Sequence, residues 1–459
     1  MAVIEKLTYR PGDIEINNFL LYNYRKSVVD IRHLMVEFSI YHDLFTNGTK
    51  CEIVLADANG LVEMLPIVGD EVFVLSFRTP TFDDILTYVF QIYSVTNKNK
   101  AEPRSEAYVL HGISQEVISN MRKSINKSYK DLPISTVVKG IYNSFLKPTE
   151  EEYRIIKINR VLEIEETLDN CHIVFPGEKP FKAIQYLCQE AQAKNTDASQ
   201  ASNFIFFEKN SGWYFKTIDS MLSADPVENF YFTEASFEVF ENRGDKIHQY
   251  QMITNIEFIN QFDTLARLNS GYYSHTIETI DPILKKFTSD VFVYENDFSK
   301  IGHIENAKNS FGTNFAYSEN SLFATNAGSS VKYFLPSHIG ENYSRLDYLN
   351  PARDDDPQIR NPRRLHKFMK YDVVSRLQLE NIVLSISIPG NTEIEIGDIV
   401  NLHIPQSTEN KDFMNSLNLL YDRRFFVTAV RHTYNKTDNN FFTVFECVKD
   451  TYGKKVVEV

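Results

Sequence analysis

The sequence predicts an α+β protein: two antiparallel β-barrels with an α/β segment inserted between them. Three observations carry that expectation. The phrase "LPIVGDEVFVLSF" (65–77) is echoed far downstream by "IEIGDIVNLHI" (394–404), and each copy sets a Gly-Asp pair, Gly69-Asp70 or Gly397-Asp398, ahead of a β-branched and aliphatic run. Both copies have similar surroundings: a strand before, a strand at once after, then a long strand, a polar turn and a closing strand. Between them the hydrophobic period changes from that of strands to that of helices.

In chain order, "HLMVEFSIYHDL" (33–44) and "CEIVLAD" (51–57) alternate like strands and flank an Asn47-Gly48 turn. A second turn, "DANG" (57–60), leads to the first Gly-Asp copy, then to "ILTYVFQIYSV" (85–95) and "AYVLHGIS" (107–114). Residues 1–114 therefore read as a first barrel. Helical spacing follows at Val117, Ile118, Met121 and Ile125, at Val137, Val138, Ile141, Tyr142 and Phe145 after Pro133, and at Phe181, Ile184, Leu187, Cys188 and Ala191 after Pro180. "FIFFEKNSGWYFKTI" (204–218) reads as a hairpin turning at Asn210-Ser211-Gly212, so 115–237 is an α/β insertion. Strands resume at "HQYQMITNIEFIN" (248–260), with a short helix near 262–268 and a further strand, "GYYSHTIETID" (271–281). Residues 286–361, rich in Asn, Ser and Gly, read as an insertion with much loop. A helix from about Pro362, "NIVLSISIPG" (381–390), the second Gly-Asp copy, and "RRFFVTAVRHTYN" (423–435) paired with "NFFTVFECVKD" (440–450) complete a second barrel from 238–285 and 362–459.

Composition limits the function classes. The 459 residues include 34 Phe and 25 Tyr but one Trp, a balance suited to strands and broad packed faces. A formal charge of −13 disfavours specific nucleic-acid binding, which needs clustered Lys and Arg. No signal-peptide pattern opens the sequence, and no apolar run is long enough to span a membrane. Cys51, Cys171, Cys188 and Cys447 are scattered without metal spacing and read as buried free thiols.

Local catalytic signatures do not occur: there is no GxxxxGK[ST], GxGxxG, HExxH or GxSxG motif. "LADANG" (55–60) resembles the start of a calcium loop, but Leu55 and Pro66 would hold its first and bidentate positions, so it reads as a turn. Asp354, Asp355 and Asp356 lie between prolines and read as a solvated run; His33, His111, His403 and His432 read as satisfied strand side chains. The basic pairs Lys285-Lys286, Arg363-Arg364 and Arg423-Arg424 read as surface or interface charges. The expectation is no catalytic, cofactor or metal site. Gly69, Asp70, Gly397 and Asp398 are turn residues, with glycine permitting the turn and aspartate capping backbone donors. Matching Gly69 to Gly397 pairs Val72 and Val74 with Val400 and Leu402 on the inner face. It sets Phe73 and Leu75 opposite Asn401 and His403 on the outer face, so Phe73 and Leu75 are expected in a buried contact outside the barrel.

The segment "SIYHDLFTNGTKCEIVLADANGLVEMLPIVGDEVFVLSFRTP" (39–80) resembles the first barrel of the baseplate hub proteins of contractile-tailed bacteriophages, the late-control-gene-D-like tail hub family. "KPFKAIQYLCQEAQA", the aromatic hairpin after it, and "NIVLSISIPGNTEIEIGDIVNLHIPQ" resemble that family's helix, hairpin and second barrel in the same order. The resemblance covers most of the chain outside 286–350. It implies two tube-like barrels per subunit and a homotrimer forming a pseudo-sixfold ring, which adapts a threefold central spike to a sixfold tail tube. It implies no enzymatic activity and no cofactor, and a place in the virion tail baseplate after assembly in the host cytoplasm. The implied partners are a spike protein, a tail tube or tube-initiator protein and wedge proteins, with DNA sliding through an acidic lumen. Two other readings stand beside it: a spike-base component of a secretion system or phage-like particle, and a hub-associated cell-wall hydrolase.

Overall fold

The computed structural model describes residues 12–23, 27–58, 60–61, 67–80, 82, 84–102, 105–148, 160–168, 170–194, 202–232, 249–261, 263–281, 286–297, 300–304, 331–336, 365–405 and 423–450. The first β-unit holds β1 (Glu15–Tyr22), β2 (Val28–Asp30), β3 (Met35–Asp43), β4 (Lys50–Asp57), β5 (Val72–Arg78), β6 (Leu86–Glu102) and β7 (Ser105–Ser114). The middle of the chain holds β8 (Ile125–Pro133), β9 (Val161–Ile164), β10 (Asn170–Glu178), β11 (Phe204–Lys209) and β12 (Gly212–Thr217). The second unit takes β13 (Glu228–Tyr231), β14 (Asn255–Asn260), β18 (Ile382–Pro389), β19 (Ile399–His403), β20 (Arg423–Asn435) and β21 (Asn440–Lys449). A separate small sheet is made by β15 (Ser274–Asp281), β16 (Lys286–Val293) and β17 (Val331–Pro336).

The repeated phrase marks a repeated topology. In the first unit the strands lie in the order β3-β4-β7-β6-β5-β1; in the second they lie β14-β18-β21-β20-β19-β13. Each of the first five positions matches in sequence order, and all pairs are antiparallel except β13 with β19. Even the irregularities coincide. Register shifts between Ile92 and Ser94 on β6, opposite Gly112 and His111, and between Val427 and Ala429 on β20, opposite Cys447 and Glu446.

Two closed barrels were expected, but the two units merge into one sheet of 13 strands, which does not close on itself among the described residues. The reason is the length of β20. Its first residues, Arg423 to Phe426, pair with β19, and its remainder, Ala429 to Asn435, runs on beside Asp43 to Glu37 of β3. The cores interlock across this seam. Tyr434 and Phe441 of the second unit belong to the core of the first, where Phe38 packs on both and Phe77 on Phe441, whereas Leu44 joins the Ile- and Val-rich core of the second.

The middle of the chain folds around Trp213, Phe204, Phe206, Phe215, Val137, Val138, Ile141, Ile184 and Leu187. The helices Ile134–Ile141 and Pro180–Glu190, the latter with proline in its first turn, pack on β8 with β10 and on the sheet β11-β12-β9. Asn210 and Ser211 form the expected turn between β11 and β12. The first helix departs from its expected stripe. Gln115–Arg122 buries Glu116, Val117, Ser119 and Asn120, leaves Met121 exposed, and Ile125 opens β8 instead. Apolar spacing alone extended that helix too far, because Ile125 serves a strand paired with β10. The helix Leu365–Leu377 sets Tyr371 and Val374 against Phe292 and Tyr272 of the small sheet's core. The Asp354–Asp356 run, Asn59 and most of 305–364 lie outside the described residues.

Candidate functional site: the junction of the two β-units

The duplicated units are joined by a backbone seam and clamped by one hairpin. Along the seam, Ser39 and Thr433 meet hydroxyl to hydroxyl at 3.1 Å. His42 lies between Tyr88 Oη and Thr49 Oγ1, at 3.2 Å from each. His432 Nδ1 contacts Thr443 Oγ1 at 3.0 Å, and that hydroxyl donates to the Asn391 carbonyl at 3.1 Å. Burial pushes His42 down to about 4, helped by the positive charge of Arg160. Burial pushes His432 down to about 3, with His42 adding to the effect. Both imidazoles are therefore neutral at neutral pH and act as polar packing.

The clamp is the β11–β12 hairpin. Glu208, at the end of β11, accepts from the Thr49 amide at 2.8 Å and from Ser114 Oγ at 2.5 Å, which fixes it to the first unit. Arg160 donates to Glu208 Oε1 at 2.5 Å and to Glu116 Oε2 at 3.1 Å, with all three side chains nearly buried. Burial raises the Glu116 carboxyl, Arg160 works to lower it, and Glu208 raises it again. The next residue, Lys209, turns the other way and donates to Asp398 Oδ1 at 2.7 Å, with Glu395 at 3.7 Å. Burial alone would lower the Lys209 ammonium, but Asp398 and Glu395 more than reverse that and hold it above its usual value.

Gly69 and Gly397 have φ of +102° and +81°, conformations that favour glycine. Asp398 Oδ2 accepts from the Glu395 amide at 3.0 Å while Oδ1 takes Lys209. Asp70 is exposed; in the first copy Glu71 caps the turn, its Oε2 accepting from Val68 at 2.9 Å and Gly69 at 2.8 Å. Glu71 is also why the expected faces were inverted. Phe73 and Leu75 pair with Phe90 and Tyr88 on β6, whereas Val400 and Leu402 pair with Phe425 and Arg423 on β20. Measured from the shared shift on β6 and β20, Phe73 matches Val400 and Leu75 matches Leu402, so the first copy carries one extra residue after its Gly-Asp pair. A one-residue offset exchanges the two faces of a strand. Phe73 and Leu75 are fully buried, but inside the core of their own unit rather than on its outer face. Asn401 and His403 meet β13, where Asn401 Nδ2 donates to Asn229 at 2.9 Å and His403 stacks on Tyr231.

Glu116, Arg160, Glu208, Lys209, Glu71 and His42 were missed from sequence. Charged residues beside a tight turn, as in "FFEKNSG", read as solvated, and their partners lie far away along the chain. All four cysteines are buried free thiols. Among the described residues no cluster of His, Cys, Asp and Glu could hold a metal ion, and no helix is long and apolar enough to cross a membrane.

No protein-family model matches the chain, and no curated protein matches it. Its fold does match solved structures. A tail protein from Neisseria meningitidis superposes with a TM-score of 0.51 at 11% identity, over 94% of this chain and 96% of that one. The 43 kDa tail protein of a Shewanella oneidensis prophage gives 0.48 at 7% identity, over 95% and 100%. An Escherichia coli component of the type VI secretion system gives 0.41 at 9% identity, over 96% and 78%. The chain is mostly antiparallel sheet with few helices, and its fold is similar to that of the Neisseria tail protein.

Proposed function

We propose that the chain is a structural, non-catalytic hub of a phage tail baseplate, which adapts a threefold central spike to a sixfold tail tube and lines the channel for DNA ejection. The observation that carries this reading is the repeated strand order of the two units, β3-β4-β7-β6-β5-β1 and β14-β18-β21-β20-β19-β13. A homotrimer of such chains presents six similar units on a threefold frame, which is the geometry an adaptor between those symmetries requires. In this reading 1–114 and the segments 238–285 and 362–459 supply the two ring-forming domains, with 115–237 and 286–361 as insertions, save that β13 of the first insertion completes the second unit and β15 belongs to the small sheet. The Gly69-Asp70 and Gly397-Asp398 turns are then framework rather than chemistry. The partners are a spike protein, a tube or tube-initiator protein and wedge proteins, and the setting is the virion tail. An overall charge of −13 supports it, because an acidic wall does not retain DNA. The test is the mass and shape of the purified protein. A threefold ring with a central channel supports the reading; a compact monomer that degrades cell wall overturns it.

A further inference from the structure

A cleft of about 260 Å³ opens where three parts of the chain meet: the turn after β3, the helix Pro180–Glu190 with β11, and the helix Leu365–Leu377. Leu44, Phe181, Phe204, Phe206 and Ile218 line it with apolar surface, and all five are buried. Phe45 also lines it, with 59% of its surface exposed. Asn47, Gln185 and Gln189 add exposed amides. Arg376 is the one charged side chain among the described residues that line the cleft.

That arginine is held in place without being neutralised. Its Nε donates to Asn203 Oδ1 at 2.8 Å, and the fully buried Asn203 is fixed in turn, its Nδ2 donating to the Asp372 carbonyl at 3.0 Å. Asp372, one helical turn before Arg376, makes no ion pair with it; its Oδ1 accepts from the Ser202 amide at 2.5 Å instead. Among the described residues neither Nη atom of Arg376 has a hydrogen-bond or ion-pair partner. Anchoring a guanidinium by Nε leaves the two-nitrogen end of its fork open, and that end grips a carboxylate through two parallel bonds. In a chain of net charge −13, the cleft therefore presents an oriented positive charge beside an aromatic wall.

We propose that this cleft binds the C-terminal residue of a partner protein, with an aromatic or large aliphatic side chain against the apolar wall and the terminal carboxylate on Arg376. Size and charge select that occupant. A cavity of about 150 Å³ already accepts a benzene ring, so the cleft has room for one ring and a carboxylate but not for a strand passing through. A chain end enters by one opening and brings its own carboxylate. The amides of Asn47, Gln185 and Gln189 can pair with its last peptide group. The site is independent of the ring proposed above.

The single tryptophan supplies the readout. Trp213 stacks on Phe206 at 4.9 Å and lies 5.3 Å from Phe181, ring centre to ring centre, so its fluorescence reports on the cleft wall. The probes are a Gly/Ser hexapeptide ending in phenylalanine with a free carboxylate, the same peptide amidated, and a free-acid version ending in alanine. Titrated into the full chain, the first is expected to bind saturably and the other two about tenfold more weakly, the worth of a charge-assisted hydrogen bond or of a buried ring. Arg376→Gln is expected to bind the acid and the amide alike. Gln185→Glu with Gln189→Glu, both at exposed positions, is expected to leave the melting temperature unchanged and to weaken the free acid about tenfold by like-charge repulsion, which keeps the test open should Arg376→Gln not fold. Equal binding of acid and amide by the wild-type chain overturns the carboxylate site. A free acid that neither fluorescence nor calorimetry detects overturns the cleft as a docking site.

Discussion

Glu208 and Lys209 are adjacent on β11 and bind opposite halves of the molecule: Glu208 Oε2 accepts from the Thr49 amide at 2.8 Å, and Lys209 Nζ donates to Asp398 Oδ1 at 2.7 Å. Strand alternation sends the two side chains to opposite faces, so one peptide unit links the first β-unit to the second. The hairpin is therefore a strut between two units that already share a sheet.

Removing one member of the Arg160 group exposes how that strut is held. Arg160→Met or Glu208→Gln is expected to cost about 3 kcal/mol, because a buried charge is left without its partner. The triple change Glu116→Leu, Arg160→Met, Glu208→Leu is expected to recover much of that loss, since no charge remains buried. Urea denaturation of the three variants separates these outcomes.

Lys209→Met is expected to destabilise by about 2 kcal/mol, leaving Asp398 and Glu395 as unpaired, half-buried like charges. Adding Asp398→Asn should return part of the loss, read as a coupling in a double-mutant cycle.

The two Gly-Asp turns respond unequally to a side chain. Both Gly69→Ala and Gly397→Ala carry the strain of a positive φ, about 1 kcal/mol. At Gly397 a Cβ would also lie 3.1 Å from Met221 Sδ, whereas at Gly69 the nearest atom is 4.0 Å away. Thermal melts should show Gly397→Ala as the larger loss.

Phe73 and Gly112 form a size-matched pair. A Cβ at Gly112 would lie 2.5 Å from Phe73 Cζ, and the equivalent pair in the second unit is Val400 with Cys447. Gly112→Ala is expected to cost about 2 kcal/mol by overpacking. Combined with Phe73→Val it should cost less than the two changes summed, as denaturation midpoints would reveal.

Acid should loosen the seam. An unfolded histidine titrates at about 6.5, while burial holds His42 at about 4 and His432 at about 3. Between those values the unfolded chain binds more protons, so this contribution is complete above about 6.5 and is lost as pH falls through about 4. Asp372 acts with the opposite sign. Burial raises it to about 7, so its contribution is complete at low pH and is lost as pH rises through about 7. In an Asp372→Asn background the melting temperature should fall on acidification below about 6.5, and His42→Gln should flatten that fall.

Much of the fold was legible because its signals are local. Asn47-Gly48, the Asn210-Ser211 turn and Pro180 at a helix start each act within a few residues, and the duplicated Gly-Asp phrase exposed the repeat. What stayed hidden depends on distance or on count. Glu71 shifted the register of β5 by one residue, which period-two reasoning cannot detect without the partner strand. The seam required knowing that β20 outruns β19, a fact set by pairing rather than by the residues of β20. Glu116 sat on a helix whose apolar spacing pointed to Met121 instead, because a buried carboxylate becomes intelligible only beside Arg160.

The seam also has a mechanical consequence. Ala429 to Asn435 lie beside Asp43 to Glu37 with their hydrogen bonds perpendicular to the strands. A pull along the strands loads all of those bonds together, whereas a pull across them peels the bonds one after another. The joint between the units is therefore stiff under axial force and compliant to lateral prying.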